Sequence, residues 1–290
     1  MKASKTIFLP TWLKLCLFII TWFFFLIVFE ISSAFIIPDT LEFSLKPDTI
    51  PFRIIRHSFQ LSATILSIWL FTRFIDKIPF KSLGFYLKNR WKDILFGIIL
   101  GFIVMAFAYV LLENLHEITY TSLNVKIEDI IYSIIFFTLV SLLEEILCRG
   151  YILNRLLETN NKYIALTISS VIFTALHSFN PNMAVVPVLN LFLAGILLGI
   201  TYIYTKNLWF PIALHFSWNF FQGPIFGFEV SGQEFYSVIQ QTRTEDNLLN
   251  GGSFGFEGSL LATFILLFVI FLLWRYYENK SKHAFNGVKI

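Results

Sequence analysis

Residues 141–151 read SLLEEILCRGY, from Ser141 to Tyr151, and this stretch decides the fold. Glu144, Glu145 and Arg149 follow an apolar run that begins at Ile130 and is long enough to lie in a bilayer. The pattern Tyr151-Ile152-Leu153, then Leu156-Leu157, predicts a helix that runs on to about Glu158. At 1.5 Å per residue, Glu144 then lies ~20 Å from that end. Charges so deep are expensive and are kept for function. The competing reading ends the helix at the charges and lets them snorkel to headgroups.

Composition favours the membrane. Of 290 residues, 56% are hydrophobic and 14% charged, and 35 are Phe; the mean hydropathy is +0.70. A soluble domain carries roughly 25% charged residues. The expected class is an all-α, polytopic transmembrane bundle forming a single membrane domain over 1–290. The net charge of +3 is too small to point to nucleic acid, and Cys16 and Cys148 sit in apolar runs with no disulfide or metal spacing. About eight spans are expected, near 15–37, 54–75, 93–113, 130–157, 162–180, 184–204, 208–224 and 259–275. The seventh, between Pro211 and Pro224, is short for ~30 Å of hydrocarbon and is expected inside the bundle. Ser32-Ser33-Ala34 resembles a signal cleavage site, but the first run is longer than a signal-peptide core, so a retained span is expected.

With both termini cytoplasmic, 17 Lys and Arg fall in inner segments and 5 in outer ones, which fits the positive-inside rule with an even number of spans. Segment 74–91, FIDKIPFKSLGFYLKNRW, reads as an inner basic and aromatic loop, either with a short interfacial helix or as an ordinary loop. Segment 225–258 holds six glycines and reads as an irregular outer cap.

The polar residues of the apolar runs form one candidate cluster. Glu145 and Arg149 are i,i+4 and share a face, whereas Glu144 points about 100° away. This predicts a structural pair and a separate, working carboxylate. His177 ends the next run after Phe173, and His215 and Asn219 are i,i+4 on the seventh. Each alone is an ordinary helix–helix contact; together they offer a carboxylate, two imidazoles and a carboxamide. Glu144 with His177 can deprotonate a water, while His215 and Asn219 can donate to an oxyanion. Alternatively His177, His215 and Glu144 ligate Zn²⁺. The residues do not choose between these. Soluble zinc-protease and Gly-x-Ser-x-Gly motifs are absent from the sequence. Gly195 and Gly199 form a GxxxG face that permits close helix approach.

Glu144-Glu145-x-x-x-Arg149, Phe173-x-x-x-His177 and His215-x-x-x-Asn219 resemble, in order, the three motifs of the CAAX prenyl protease and bacteriocin-processing (CPBP, or Abi) family. The GxxxG run and the Leu208-Trp209-Phe210-Pro211-Ile212 entry are also similar. The resemblance covers about 128–224, and no motif position departs from it. It implies a membrane-embedded endopeptidase, glutamic or metallo, with Glu144 as catalytic carboxylate and His177 as its partner. It implies that His215 and Asn219 bind metal or stabilise the oxyanion, and that Glu145 and Arg149 support the site. Family members trim prenylated proteins in eukaryotes and are linked to peptide maturation, bacteriocin immunity and scaffolding in bacteria. The wealth of Ile, Phe, Lys and Asn points to an AT-rich bacterial genome, hence to a bacterial plasma membrane and a membrane-associated peptide or protein substrate rather than a prenylated one. A non-catalytic scaffold or immunity protein is the alternative. A proton-coupled transporter is disfavoured, because no repeated pair of broken helices is visible.

Overall fold

A computed structural model describes residues 9–36 and 50–287. Lys2, Lys5, Lys46 and Lys289 of the charge argument, and Ile37 at the end of the first expected span, lie outside the described residues. Eight helices occur among the described residues, in the order expected. Six are long and apolar enough to cross a membrane. They are α1 (Thr11–Ile36), α2 (Ile50–Asp76), α3 (Trp91–Asn114), α4 (Ile127–Leu156), α6 (Val185–Thr205) and α8 (Leu260–Gly287). The other two are short. Helix α5 (Lys162–Leu176) has 15 residues, and α7 (Trp209–Phe220) has 12, extended by a wide turn over Phe221–Ile225 around Pro224. Of the about eight expected spans, six are of membrane-crossing length among the described residues; the seventh is short, as expected, and the fifth is also shorter than a full span. Helix α6 is the central post, with 67% of its apolar window buried, against 17% for α1.

The all-α expectation is corrected. Strands β1 (Ile118–Leu123) and β2 (Ile239–Arg243) pair antiparallel, with a bulge between Tyr120 and Ser122. Segment 225–258, expected to be irregular, thus contains a strand and two short 3-10 turns, at Gly252–Phe254 and Phe256–Gly258. In the same segment the Ser253 hydroxyl and backbone N–H donate to Asp246, and Arg243 pairs with it. Ser253 first, then Arg243, holds the Asp246 carboxyl below its ordinary value. This staple is present above the ordinary carboxylate range and is lost as pH falls through the lowered value.

At one end of the bundle, three helices close on one carboxylate. Asp76, with no exposed side chain, lies 3.2 Å from Lys14 and 3.7 Å from Arg155. It also accepts from the Tyr151 hydroxyl at 2.9 Å. Two cations that the sequence reading assigns to the inner surface are thus held inside the bundle. The basic segment 74–91 begins in the last turn of α2 and then carries a 3-10 turn at Phe80–Leu83. Helix α8 outruns its expected end at 275, because its charged extension has partners: Glu278 takes Lys162 at 2.8 Å, and Tyr277 stacks on Tyr204.

Small residues set the helix spacing. On α6, a Cβ at Gly195 would stand 2.8 Å from Ser170 Cβ, and one at Gly199 would stand 2.5 Å from Leu166, both on α5. A second GxxxG pair, Gly97 and Gly101 on α3, does the same for α7. There a Cβ at Gly101 would fall 2.1 Å from Ser217 Oγ and 2.9 Å from the Trp218 backbone N. The Ser217 hydroxyl donates to the Gly97 carbonyl at 3.0 Å. Overpacking a well-filled contact costs about 1–3 kcal/mol. Gly101→Ala should therefore lower the thermal unfolding midpoint clearly, and more than Gly150→Ala, whose Cβ would meet only the tip of Leu208 at 3.2 Å. Equal midpoints for the two variants would contradict the packing argument.

Candidate functional site

Helix α4 is α-helical to Glu145, then widens into π-helical turns over Ile146–Leu153 before closing at Leu156. All eight residues of the wide segment are buried. Such widened turns are frequent at functional sites. Helix continuity through Arg149 puts the three charges inside the bundle rather than at its rim, as the apolar pattern beyond Arg149 predicts.

Arg149 is 1% exposed. Its Nη1 donates to Glu145 Oε1 at 2.7 Å, and its Nη2 donates to the Gly195 carbonyl at 3.0 Å. Its guanidinium lies over the Phe173 ring, 4.4 Å from the centroid. The other face of the site meets the same ring: Phe173 stands 4.5 Å from the His177 ring and 6.2 Å from the His215 ring, centroid to centroid. Phe173 is therefore a wedge between the buried cation and the two imidazoles. The Ser169 hydroxyl donates to the Cys148 carbonyl at 3.0 Å and ties α5 to the wide segment.

Glu145 does more than balance Arg149. Its Oε1 also accepts from His215 Nδ1 at 2.8 Å. A carboxylate only accepts, so His215 carries its proton on Nδ1 and, when neutral, presents a bare Nε2. His177 is set the same way by its own helix end, where Nδ1 donates to the Phe173 carbonyl at 2.8 Å. Both Nε2 atoms turn to Glu144 Oε2, His177 at 3.4 Å and His215 at 3.9 Å. That oxygen is buried and has no hydrogen-bond partner. Three acceptors thus converge on one small volume. A water there has only two protons for three acceptors, so satisfying all of them requires one further proton, carried on one of the histidines. Asn219 is 6% exposed and makes no hydrogen bond among the described residues, which leaves its carboxamide free toward the same cavity.

The cavity measures about 450 Å³ and is mostly apolar. Glu144, His177, His215 and Asn219 all line it. One further imidazole and one further carboxylate on its wall escape the sequence reading. His57 of α2 donates from Nδ1 to the Arg53 carbonyl at 2.9 Å and packs edge-on to Phe136. Glu257 comes from the segment between β2 and α8. Nothing in linear spacing ties either to the three motifs.

Among the described residues, no group of three or more His, Cys, Asp or Glu side chains has an arrangement that would hold a metal ion.

Residues 126–221 match the family model described as type II CAAX prenyl endopeptidase Rce1-like. No curated protein and no solved structure matches the chain. The matched segment runs from the start of α4 to the end of α7 and contains Glu144, Glu145, Arg149, Phe173, His177, His215 and Asn219. The chain is a multi-pass membrane protein whose residues 126–221 are similar to the Rce1-like type II CAAX prenyl endopeptidases.

Proposed function

We propose that this protein is an intramembrane endopeptidase that hydrolyses a peptide bond of a membrane-associated peptide or protein with a water activated by Glu144 and His177. The observation that carries the reading is the convergence of both histidine Nε2 atoms on the unpartnered Glu144 Oε2 at the wall of an apolar cavity. Water held between Glu144 and His177 gives its proton to Glu144 as its oxygen attacks the scissile carbonyl carbon. The carbonyl oxygen becomes an oxyanion, which Asn219 Nδ2 is free to meet as a donor. His215 joins as a second donor only as an imidazolium, because Glu145 already takes its Nδ1 proton. Glu144 then returns a proton to the departing amide nitrogen, so that no net charge accumulates. Glu145, Arg149 and Phe173 position the imidazoles, and Gly195 and Gly199 let α6 close on α5.

Residues 128–224 form the catalytic core in this reading, and 225–258 cap its outer side. Both termini lie on the inner face of a bacterial plasma membrane, which the charge asymmetry of the segments supports. The test compares membrane peptides of cells carrying the wild-type chain with those of cells carrying Glu144→Gln. At least one peptide terminus should vanish in the variant and be regenerated by purified wild-type protein. Identical peptide sets, with the cellular phenotype intact in Glu144→Gln, would instead make the protein a non-catalytic scaffold.

A further inference from the structure

Glu257 is built into the cavity wall with unusual care. Its carboxylate accepts from Trp218 Nε1 at 3.1 Å, from the Ser231 backbone N–H at 2.9 Å and from the Ser231 hydroxyl at 3.0 Å. Trp218 is the residue next to Asn219 on α7, so the carboxylate is tied directly to the helix that bears His215. Its backbone is pinned as well. Asn190 Nδ2 donates to the Glu257 and Ser259 carbonyls, each at 2.8 Å, while Asn190 Oδ1 accepts from Thr263. The turn that delivers it needs Gly255, at φ +88°, where a Cβ would fall 2.0 Å from the Glu229 carbonyl oxygen.

All of these partners are neutral. Among the described residues no Lys, Arg or His forms an ion pair with Glu257, whereas Glu144 faces two imidazoles and Glu145 takes Arg149 and His215. Two carboxylates therefore line the cavity: Glu144, which faces the two imidazoles, and Glu257, which has only neutral donors. In a low-dielectric cavity a carboxylate held only by neutral donors gains strongly when a cation joins it. A second feature points to a ligand in the same space. The Asn219 carboxamide is 6% exposed, lines the cavity and has no protein partner among the described residues.

We propose that Glu257 is the specificity anchor of the cavity and binds a cationic group, an ammonium or guanidinium, of the peptide whose neighbouring bond is presented to Glu144. This rests on the endopeptidase reading for the word substrate, but the binding claim stands apart from turnover. Three of the roughly four lone-pair sites of the carboxylate are filled by fixed donors. These hold it in one orientation, so its charge and remaining acceptor site are presented to the ligand without reorganisation. The surrounding wall is apolar, which suits a peptide carrying a single cationic residue within a hydrophobic segment.

The experiment measures binding on the full chain with Glu144→Gln, so that failure to hydrolyse cannot be confused with failure to recognise. The protein is placed in nanodiscs of uncharged phosphatidylcholine, with empty nanodiscs as the blank. The probes are fluorescent, N-acetylated Leu/Ala peptides bearing Lys, norleucine or Glu at each position in turn. At one or more positions Lys should bind at least tenfold more tightly than norleucine, and Glu more weakly than either. Adding Glu257→Gln should bring the Lys-to-norleucine ratio close to one. Ser231→Ala removes one hydrogen bond but leaves the charge, so it should keep the preference; a merely structural role for Glu257 predicts that neither change moves the ratio. A free-amine norleucine peptide separates recognition of a chain terminus from that of a side chain. Equal affinity for cationic and neutral probes in the Glu257 protein, or a Lys preference that survives Glu257→Gln, overturns the proposal, as does an absence of specific binding by any probe.

Discussion

Glu144→Gln is expected to lower peptide-bond hydrolysis by about 10³-fold, within the range of roughly 10²–10⁴ that a positioned acid–base group supplies, while leaving the thermal unfolding midpoint nearly unchanged. The two halves of this expectation come from the same geometry. Glu144 Oε2 faces the two Nε2 atoms at 3.4 and 3.9 Å, close enough to share a water with them. Glutamine keeps the size of the side chain but cannot take the water's proton. The fold does not depend on that oxygen, which makes no hydrogen bond within the protein, and the side chain keeps 23% of its surface exposed to the cavity. His177→Ala should show a comparable loss, because it removes the other acceptor holding the water. The decisive comparison is single-turnover hydrolysis with detergent-purified variants whose unfolding midpoints are measured in parallel. Full activity in Glu144→Gln would end the assignment of Glu144 as base. A loss of activity accompanied by a large drop in midpoint would place Glu144 among the structural residues instead.

Much of the scaffold is legible because hydrocarbon demands long apolar runs. All eight helices lie within a few residues of the runs that announce them, except the C-terminal end of α8. There the eye stops at Arg275 because the charges begin, although charges do not end a helix; Glu278, Lys162 and the two tyrosines carry it onward. Strand β1 is illegible for a different reason. Only Ile118 of Ile118–Leu123 is buried and the other five residues are exposed, so no period of two is written in hydrophobicity. The pairing of Glu145 with Arg149 follows from i,i+4 spacing and survives the widening of α4. The hold of Glu145 on His215 spans 70 residues of sequence and has no local signature. His57 and Glu257 belong to the same class: a lone histidine on an amphipathic helix, and a lone glutamate in a glycine-rich loop. Gly97 and Gly101 were readable as a GxxxG pair. Only the position of α7 shows why they matter, since a Cβ at Gly101 would strike Ser217.

Arg149→Ala is expected to cost about 3–5 kcal/mol of stability, the cost of leaving one member of a buried ion pair alone, and to be the most destabilising single change among the motif residues. Arg149 is 1% exposed, and its removal takes its side-chain donors from Glu145 Oε1, which keeps only His215 Nδ1, and from the Gly195 carbonyl at once. It also empties the space over the Phe173 ring. Truncation alone cannot distinguish the charge from the volume. The double variant Glu145→Leu with Arg149→Met does, because it replaces both charges with apolar side chains. Swapping a whole buried pair for apolar groups is often neutral or stabilising, so most of the lost stability should return. Activity should not return. Without the Glu145 carboxylate, nothing fixes the His215 proton on Nδ1, and His215 Nε2 is no longer held toward Glu144. Unfolding midpoints and hydrolysis rates on the two variants thus separate what the pair does for the fold from what it does for the site. If the double variant stayed as unstable as Arg149→Ala, the guanidinium's contacts with the Gly195 carbonyl and the Phe173 ring would have to dominate, and α6 would owe its place against α4 to Arg149 rather than to its glycines. If it regained both stability and activity, the orientation of His215 by Glu145 would be dispensable, and the two-histidine arrangement around Glu144 would have to rest on α7 packing alone.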